Sequence, residues 1–326
     1  MKKRRYFLLL IGILSSCGSI GPSPSDNSLV PTEPTLDISI SEEIPSIESV
    51  SSEEISSPSE SSEQEISDEP IPTVEESSEV VITNTVETWK ILEDSIYETT
   101  VYKFTSNVPG KKCAIVGGIH GDEVAGWKAA LQLKERRDFI GEVLIIPQAS
   151  IYACKREERY PGRGEAINGI TYKDLNRNFP GKPDGNITQQ IAYAISETVD
   201  DFNPDIIVDL HESLRSSSSS YFDQDTSSRL GDLLIYGNSW TSLFTQTVIE
   251  DYNALYLQED DYPFGTDTFA PGGSFNQYFG RKYEDRIVIT IETTRYFSDS
   301  KPKNEDRRIQ QQLELIDLIL KYSLEF

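Results

Sequence analysis

The chain has 326 residues, 54 of them acidic against 30 basic, for a net charge of −24. So acidic a chain is a poor partner for nucleic acid, whose phosphates call for a basic surface. The length prior allows two domains, but composition along the chain is too uneven for two folded ones.

Met1 to Arg5 carries four basic residues, and Tyr6 to Leu14 follows as an apolar run too short to span a bilayer. That is the pattern of a secretory signal. It ends in Leu14-Ser15-Ser16-Cys17-Gly18, which resembles the lipobox of bacterial lipoproteins. The resemblance implies lipidation of Cys17 and an exported chain anchored to the membrane surface. The alternative is an ordinary signal peptide that happens to contain a cysteine. Between Gly18 and Trp89 stand 17 acidic residues and no Lys or Arg, which leaves 37 acidic against 26 basic residues for Lys90 to Phe326. Most of the net charge is therefore a property of the tail. Residues 18–81, rich in Ser, Glu, Pro and Thr, bury too little apolar surface to offset their ordering entropy. They are expected to form a disordered acidic stalk, after a signal peptide over residues 1–17. A single large domain is expected over residues 82–326.

Within that domain the spacing predicts a strand over Ile96 to Phe104 and another over Cys113 to Gly117. A helix follows over Glu123 to Arg137, with Val124, Trp127, Ala130 and Leu131 at helical spacing. Val143 to Ile146, Asp205 to Leu210, Leu233 to Tyr236 and Arg286 to Ile291 read as further strands. Helices are expected over Thr188 to Val199, Ser242 to Ile249 and Asp306 to Leu324. Strands that are apolar throughout and alternate with helices indicate an α/β domain, a mostly parallel or mixed sheet covered on both faces. Cys113 and Cys154 both lie in or beside apolar runs, where buried free thiols are expected rather than a disulfide. Ser216 to Ser220 is expected to be a mobile loop.

In such a sheet, polar groups for chemistry belong just past the strand carboxyl ends. The two histidines of the chain, His120 and His211, each follow a short apolar run, and Glu292 follows a third. Glu123 stands three residues after His120. Two imidazoles and one carboxylate form the ligand set of a catalytic zinc ion with a fourth position open. Read singly, each residue has a plainer explanation: Asp122 and Glu123 complement a helix dipole, and a buried histidine can simply be hydrogen-bonded. A two-His, one-Glu set also accepts other divalent metals.

Four segments together carry a family resemblance. Gly118-Ile119-His120-Gly121-Asp122-Glu123, Asp174-Leu175-Asn176-Arg177-Asn178-Phe179-Pro180-Gly181, Asp209-Leu210-His211 and Ile289-Thr290-Ile291-Glu292 resemble the signatures of the zinc metallocarboxypeptidases. The short interval from Glu123 to His211 looks most like the branch holding succinylglutamate desuccinylase, aspartoacylase and murein peptide amidases. This resemblance implies one zinc ion held by His120, Glu123 and His211. It implies Glu292 as the base that takes a proton from the attacking water and passes it to the leaving amine. Asn176 and Arg177 would grip a substrate carboxylate, a task suited to a guanidinium fork. A second arginine would stabilise the oxyanion; of Arg156, Arg159 and Arg163 in the loop before Asn176, Arg159 fits best, with Arg163 the fallback. One departure concerns the tyrosine that digestive carboxypeptidases place before a Gly-Gly-Ser turn. Here Gly272-Gly273-Ser274 is preceded by Thr268 at that position, with Tyr262 or Tyr278 as substitutes. Phe275 either floors a side-chain pocket or packs in the core.

The resemblance thus implies a zinc hydrolase cutting an amide bond next to a free carboxylate, a carboxypeptidase or peptide amidase acting on peptides outside the membrane. An N-acyl amino acid deacylase and a catalytically silent surface binding protein are the alternatives. The general base Glu292 speaks against the silent one, which has no use for it.

Overall fold

Strands that are apolar on both faces need cover on both faces, and the computed structural model supplies it. It describes residues 80–162, 174–215, 231–268, 270–298 and 301–325. The signal segment with Cys17, the acidic stretch to residue 79, Arg163 and Ser216 to Ser220 lie outside the described residues. Among the described residues no helix is long and apolar enough to cross a membrane.

The strands are β1 (Asn84–Ile91), β2 (Thr99–Ser106), β3 (Lys112–Gly117), β4 (Glu142–Ile146), β5 (Ile206–Arg215), β6 (Leu233–Tyr236), β7 (Gly265–Asp267), β8 (Ile287–Ser298) and β9 (Lys301–Pro302). The helices are α1 (Val124–Leu133), α2 (Ile151–Cys154), α3 (Ile187–Phe202), α4 (Thr241–Leu255), α5 (Phe275–Lys282) and α6 (Glu305–Ser323). One mixed sheet runs β1-β2-β4-β3-β5-β8-β6-β7, with β9 paired to β8. Its centre, β4-β3-β5-β8, is parallel. Successive β3 residues serve opposite cores. Cys113 and Ile115 join α1, α4 and α6 on one side, while Ala114 and Val116 join α3 and α5 on the other. The expected α/β architecture is the observed one.

Several expectations change. The strand expected from Ile96 starts at Thr99, because Ser95 closes a turn by donating from Oγ to the Leu92 carbonyl at 2.7 Å. The sequence reading also missed β1, whose side chains are exposed on both faces and so carry no burial signal. α5 was missed as well. It is only eight residues long and is capped by Ser274, whose Oγ accepts from Gln277 N.

The important difference lies at the strand ends. His211 and Glu292 are not just past β5 and β8 but inside them, since both strands continue to Arg215 and Ser298. They continue because they pair with each other: His211 is opposite Glu292, Glu212 opposite Thr293, and Ser213 opposite Thr294. β3 stops earlier. Its last residue, Gly117, lies opposite Leu210, so His211 is the first β5 residue with no β3 neighbour. β6 begins opposite Glu292. The chain leaves β3 for β4 on one side, while β5 lies on the other, so the opening is a topological switch point.

The α1–β5 contact needs one glycine. A Cβ on Gly126 would stand 2.6 Å from the Leu210 carbonyl oxygen. Helix propensity alone favours alanine over glycine by about 1 kcal/mol. Backbone overlap outweighs that, so Gly126→Ala should lower unfolding stability by about 1–3 kcal/mol. Urea unfolding measures it; a more stable variant would refute this packing.

Candidate metal centre and active site

Three chain segments deliver the site. After β3, Gly118 turns the chain with φ +75, and the loop carries His120 and then Glu123, the residue that begins α1. β5 carries His211. A single 3-10 turn, Leu175–Arg177, carries Asn176 and Arg177, and Asp174 caps it by accepting from Asn176 N at 2.9 Å. His120, Glu123, His211, Asn176 and Arg177 line a cavity of about 400 Å³ with Glu292, Arg159, Glu212 and Arg295.

His120, Glu123 and His211 are 3%, 3% and 1% exposed. His120 Nδ1 lies 2.8 Å from Glu123 Oε1, and His211 Nδ1 lies 2.6 Å from Glu123 Oε2. The other ring nitrogens face carboxylates too: His120 Nε2 is 2.9 Å from Asp174 Oδ1, and His211 Nε2 is 2.8 Å from Asp209 Oδ2. A neutral imidazole has one N–H. Donated outward to Asp174 and Asp209, those protons leave two Nδ1 lone pairs and a carboxylate converging. Candidate ligand atoms from the three residues lie within 4.8 Å of one another. A divalent cation is what such a donor set accommodates, and outward carboxylates are the usual partners of metal-bound histidines. The residues fit a metal.

The electrostatics agree. Burial alone would raise the Glu123 carboxyl, but His120 and His211 hold it well below the usual carboxylate range. His211 is held well above its usual value, since Asp209 and Glu123 outweigh the opposing effect of burial. Without a metal, the site thus favours positive charge between its carboxylates. Glu292 differs. Burial pushes its carboxyl up to about 8, and its Oε2 has no hydrogen-bond partner among the described residues. A carboxyl poised there can both take and give a proton near neutrality.

Each expected site residue among the described ones lies in this cavity. Arg159 Nη1 donates to Glu123 Oε1 at 2.7 Å, which places its guanidinium beside the ligand set. Arg177 is exposed and lines the wall, its Nη1 donating to the Asn176 carbonyl at 2.6 Å. Asn176 is fixed by accepting at Oδ1 from Phe275 N at 2.8 Å. Neither Tyr262 nor Tyr278 lines the cavity, and the Tyr278 hydroxyl sits 3.4 Å from Asp200 on α3. Thr268 is exposed and stands outside it too. Phe275 is fully buried, edge-on to Phe179 at 5.2 Å, so it is core and not pocket floor. Cys113 and Cys154 are buried and free. The sequence reading gave Asp174 and Asp209 no role, although an aspartate inside the apolar run Ile206 to Leu210 was a signal. It also missed Glu212 and Arg295.

The fold is a mixed α/β sheet of the metallocarboxypeptidase-like kind, with a His-Glu-His group that could hold a metal. Residues 109–230, which hold three of the four motifs, match the model of the Succinylglutamate desuccinylase/Aspartoacylase catalytic domain. Over 105 residues the chain is 33% identical to N-alpha-acetyl-L-2,4-diaminobutyric acid deacetylase of Halomonas elongata. That match covers 31% of this chain and 28% of the relative. Among solved structures, tripeptide-bound Cell Shape Determinant Csd4 of Helicobacter pylori shares the fold, with TM-score 0.53 at 17% identity, over 74% of this chain and 56% of that one. A succinylglutamate desuccinylase/aspartoacylase from Rhodobacter sphaeroides aligns at TM-score 0.48 and 18% identity, over 74% and 65% of the two chains. Glu292 and Arg295 lie beyond the stretch that matches the family model.

If the outer carboxylates fix the imidazoles, Asp174→Asn and Asp209→Asn should each weaken zinc binding about 10- to 100-fold. Competition with a chromophoric chelator reads this directly, and wild-type affinity in both variants would remove the two aspartates from the site.

Proposed function

We propose that this chain is a zinc-dependent hydrolase that cleaves an amide bond beside a free carboxylate. The observation that carries this reading is the convergence, in one cavity, of the His120–Glu123–His211 set, a buried and partly unpartnered Glu292, and the Arg177 guanidinium. When bound, zinc supplies Lewis-acid polarisation and lowers the pKa of its water to about 7. Glu292 takes the proton of the attacking water and returns it to the leaving amine. Arg177, helped by Asn176, holds the substrate carboxylate in a two-pronged grip. Arg159, beside Glu123, faces the negative charge that develops on the carbonyl oxygen.

For the substrate, we favour peptides met outside the membrane. Support comes from the signal-like segment ending at Cys17 and from likeness to the fold of a tripeptide-bound protein. In this reading residues 1–17 are a lipoprotein signal, residues 18–81 a stalk, and residues 82–326 the enzyme. The second reading, an N-acyl amino acid deacylase, is favoured by the sequence match to a deacetylase. Peptides and N-acyl amino acids assayed side by side, with and without chelator, separate the two. A mass shift at Cys17 tests the anchor.

Glu292→Gln should keep full zinc content while kcat falls about 10²- to 10⁴-fold. An unaltered rate would overturn its role. Arg177→Ala should lower kcat/KM strongly for substrates with a free carboxylate and little for their amidated counterparts. Equal losses on both would mean that Arg177 does not read the carboxylate.

A further inference from the structure

Helix α6 lies across one face of the sheet, yet it buries a polar stripe as well as an apolar one. Arg308 is 7% exposed, and Gln312 is fully buried. Both reach the segments that carry metal ligands. Arg308 Nη1 donates to Glu212 Oε1 at 2.6 Å, and Gln312 Nε2 donates to the His211 carbonyl at 2.8 Å and to Thr293 Oγ1 at 3.2 Å. The Glu212 side chain then spans the gap between two ligand-bearing elements. Its Oε2 accepts from Ala125 N at 2.9 Å, in the first turn of α1, two residues after Glu123. Its own backbone N–H donates to Glu123 Oε2 at 3.0 Å.

One carboxylate therefore ties three elements: β5 just beyond His211, α1 just beyond Glu123, and α6 through Arg308. A carboxylate at the start of a helix is favoured by the exposed N–H groups there. That alone does not require an arginine. A buried guanidinium needs a partner, and Arg308 Nε has none among the described residues, which leaves Glu212 as the group that justifies its burial. Gln312 grips the same place from the backbone side, binding β5 to β8 where His211 faces Glu292.

We infer that Glu212, held by Arg308 and seconded by Gln312, is a positioning unit that sets the distance between Glu123 and His211 and so tunes metal affinity. This rests on the metal-site reading above. Neither Arg308 nor Gln312 touches the cavity, so both act through others.

The test is zinc affinity of the full chain, by chelator competition at a temperature well below each variant's unfolding midpoint. Arg308→Met and Glu212→Gln should each weaken zinc binding about 10-fold or more. Arg308→Lys should recover part of it, since a charge returns without the fork. The double variant should be no weaker than the worse single one, because both changes break the same link. Lys321→Met, on the exposed face of α6, should bind zinc as the wild type does. If Arg308→Met does not fold, Gln312→Met gives the same reading through the His211 carbonyl. A folded Arg308→Met or Gln312→Met with wild-type affinity overturns the proposal, as does a double variant whose losses multiply. Absence of zinc binding by the wild type would overturn the metal reading first, and this inference with it.

Discussion

Glu123 has two carboxylate oxygens and four groups arranged around them. His120 Nδ1 and Arg159 Nη1 approach Oε1, while His211 Nδ1 and the Glu212 amide approach Oε2. A carboxylate buried to 3% exposure survives only if it is paired and hydrogen-bonded. That requirement organises its surroundings. It brings the loop after β3, the second histidine on β5 and an arginine from the segment after α2 to one point, and each arrives by a different route. The fold makes this possible by ending β3 at Gly117 while β5 continues, which opens one side of β5 at His211.

The outward carboxylates show the same logic one step further out. Asp174 and Asp209 take one nitrogen of each imidazole, so the rings cannot turn without giving up a buried hydrogen bond. Rigidity of this kind decides which lone pairs face the centre. It also separates Glu292 from the ligand set. For that residue burial outweighs the positive charge of His211 and Arg159 nearby and holds the carboxyl above its usual range.

Much of this was legible in the chain. Two histidines in 326 residues, each following an apolar run, left few places for chemistry, and Glu292 fell in the same pattern. The motif resemblance added Arg177 and Asn176, which no periodicity would have shown. What stayed hidden has physical reasons. β1 carries no burial pattern because neither face is covered. The continuation of β5 and β8 past the site depends on their pairing with one another, and pairing between residues so distant in sequence leaves no local trace. Arg308 and Gln312 look like the solvent face of an amphipathic helix until their partners on β5 are known. Arg159 was chosen over its neighbours by motif position, and its contact with Glu123 comes from tertiary packing.

The reach of α6 has a consequence for how the site comes into being. His120, His211 and Arg308 are far apart in the chain and meet only when strands distant in sequence have paired and the helix has docked. Loop-closure entropy opposes each of those steps until the whole is nearly formed. Only the His120–Glu123 pair is local in the chain, so the three-residue set is complete only in the finished fold. Under the metal reading proposed above, uptake would report on completed folding, and a bound ion would stabilise the finished state by mass action. In that reading, retention of the ion and integrity of the sheet would be a single cooperative property.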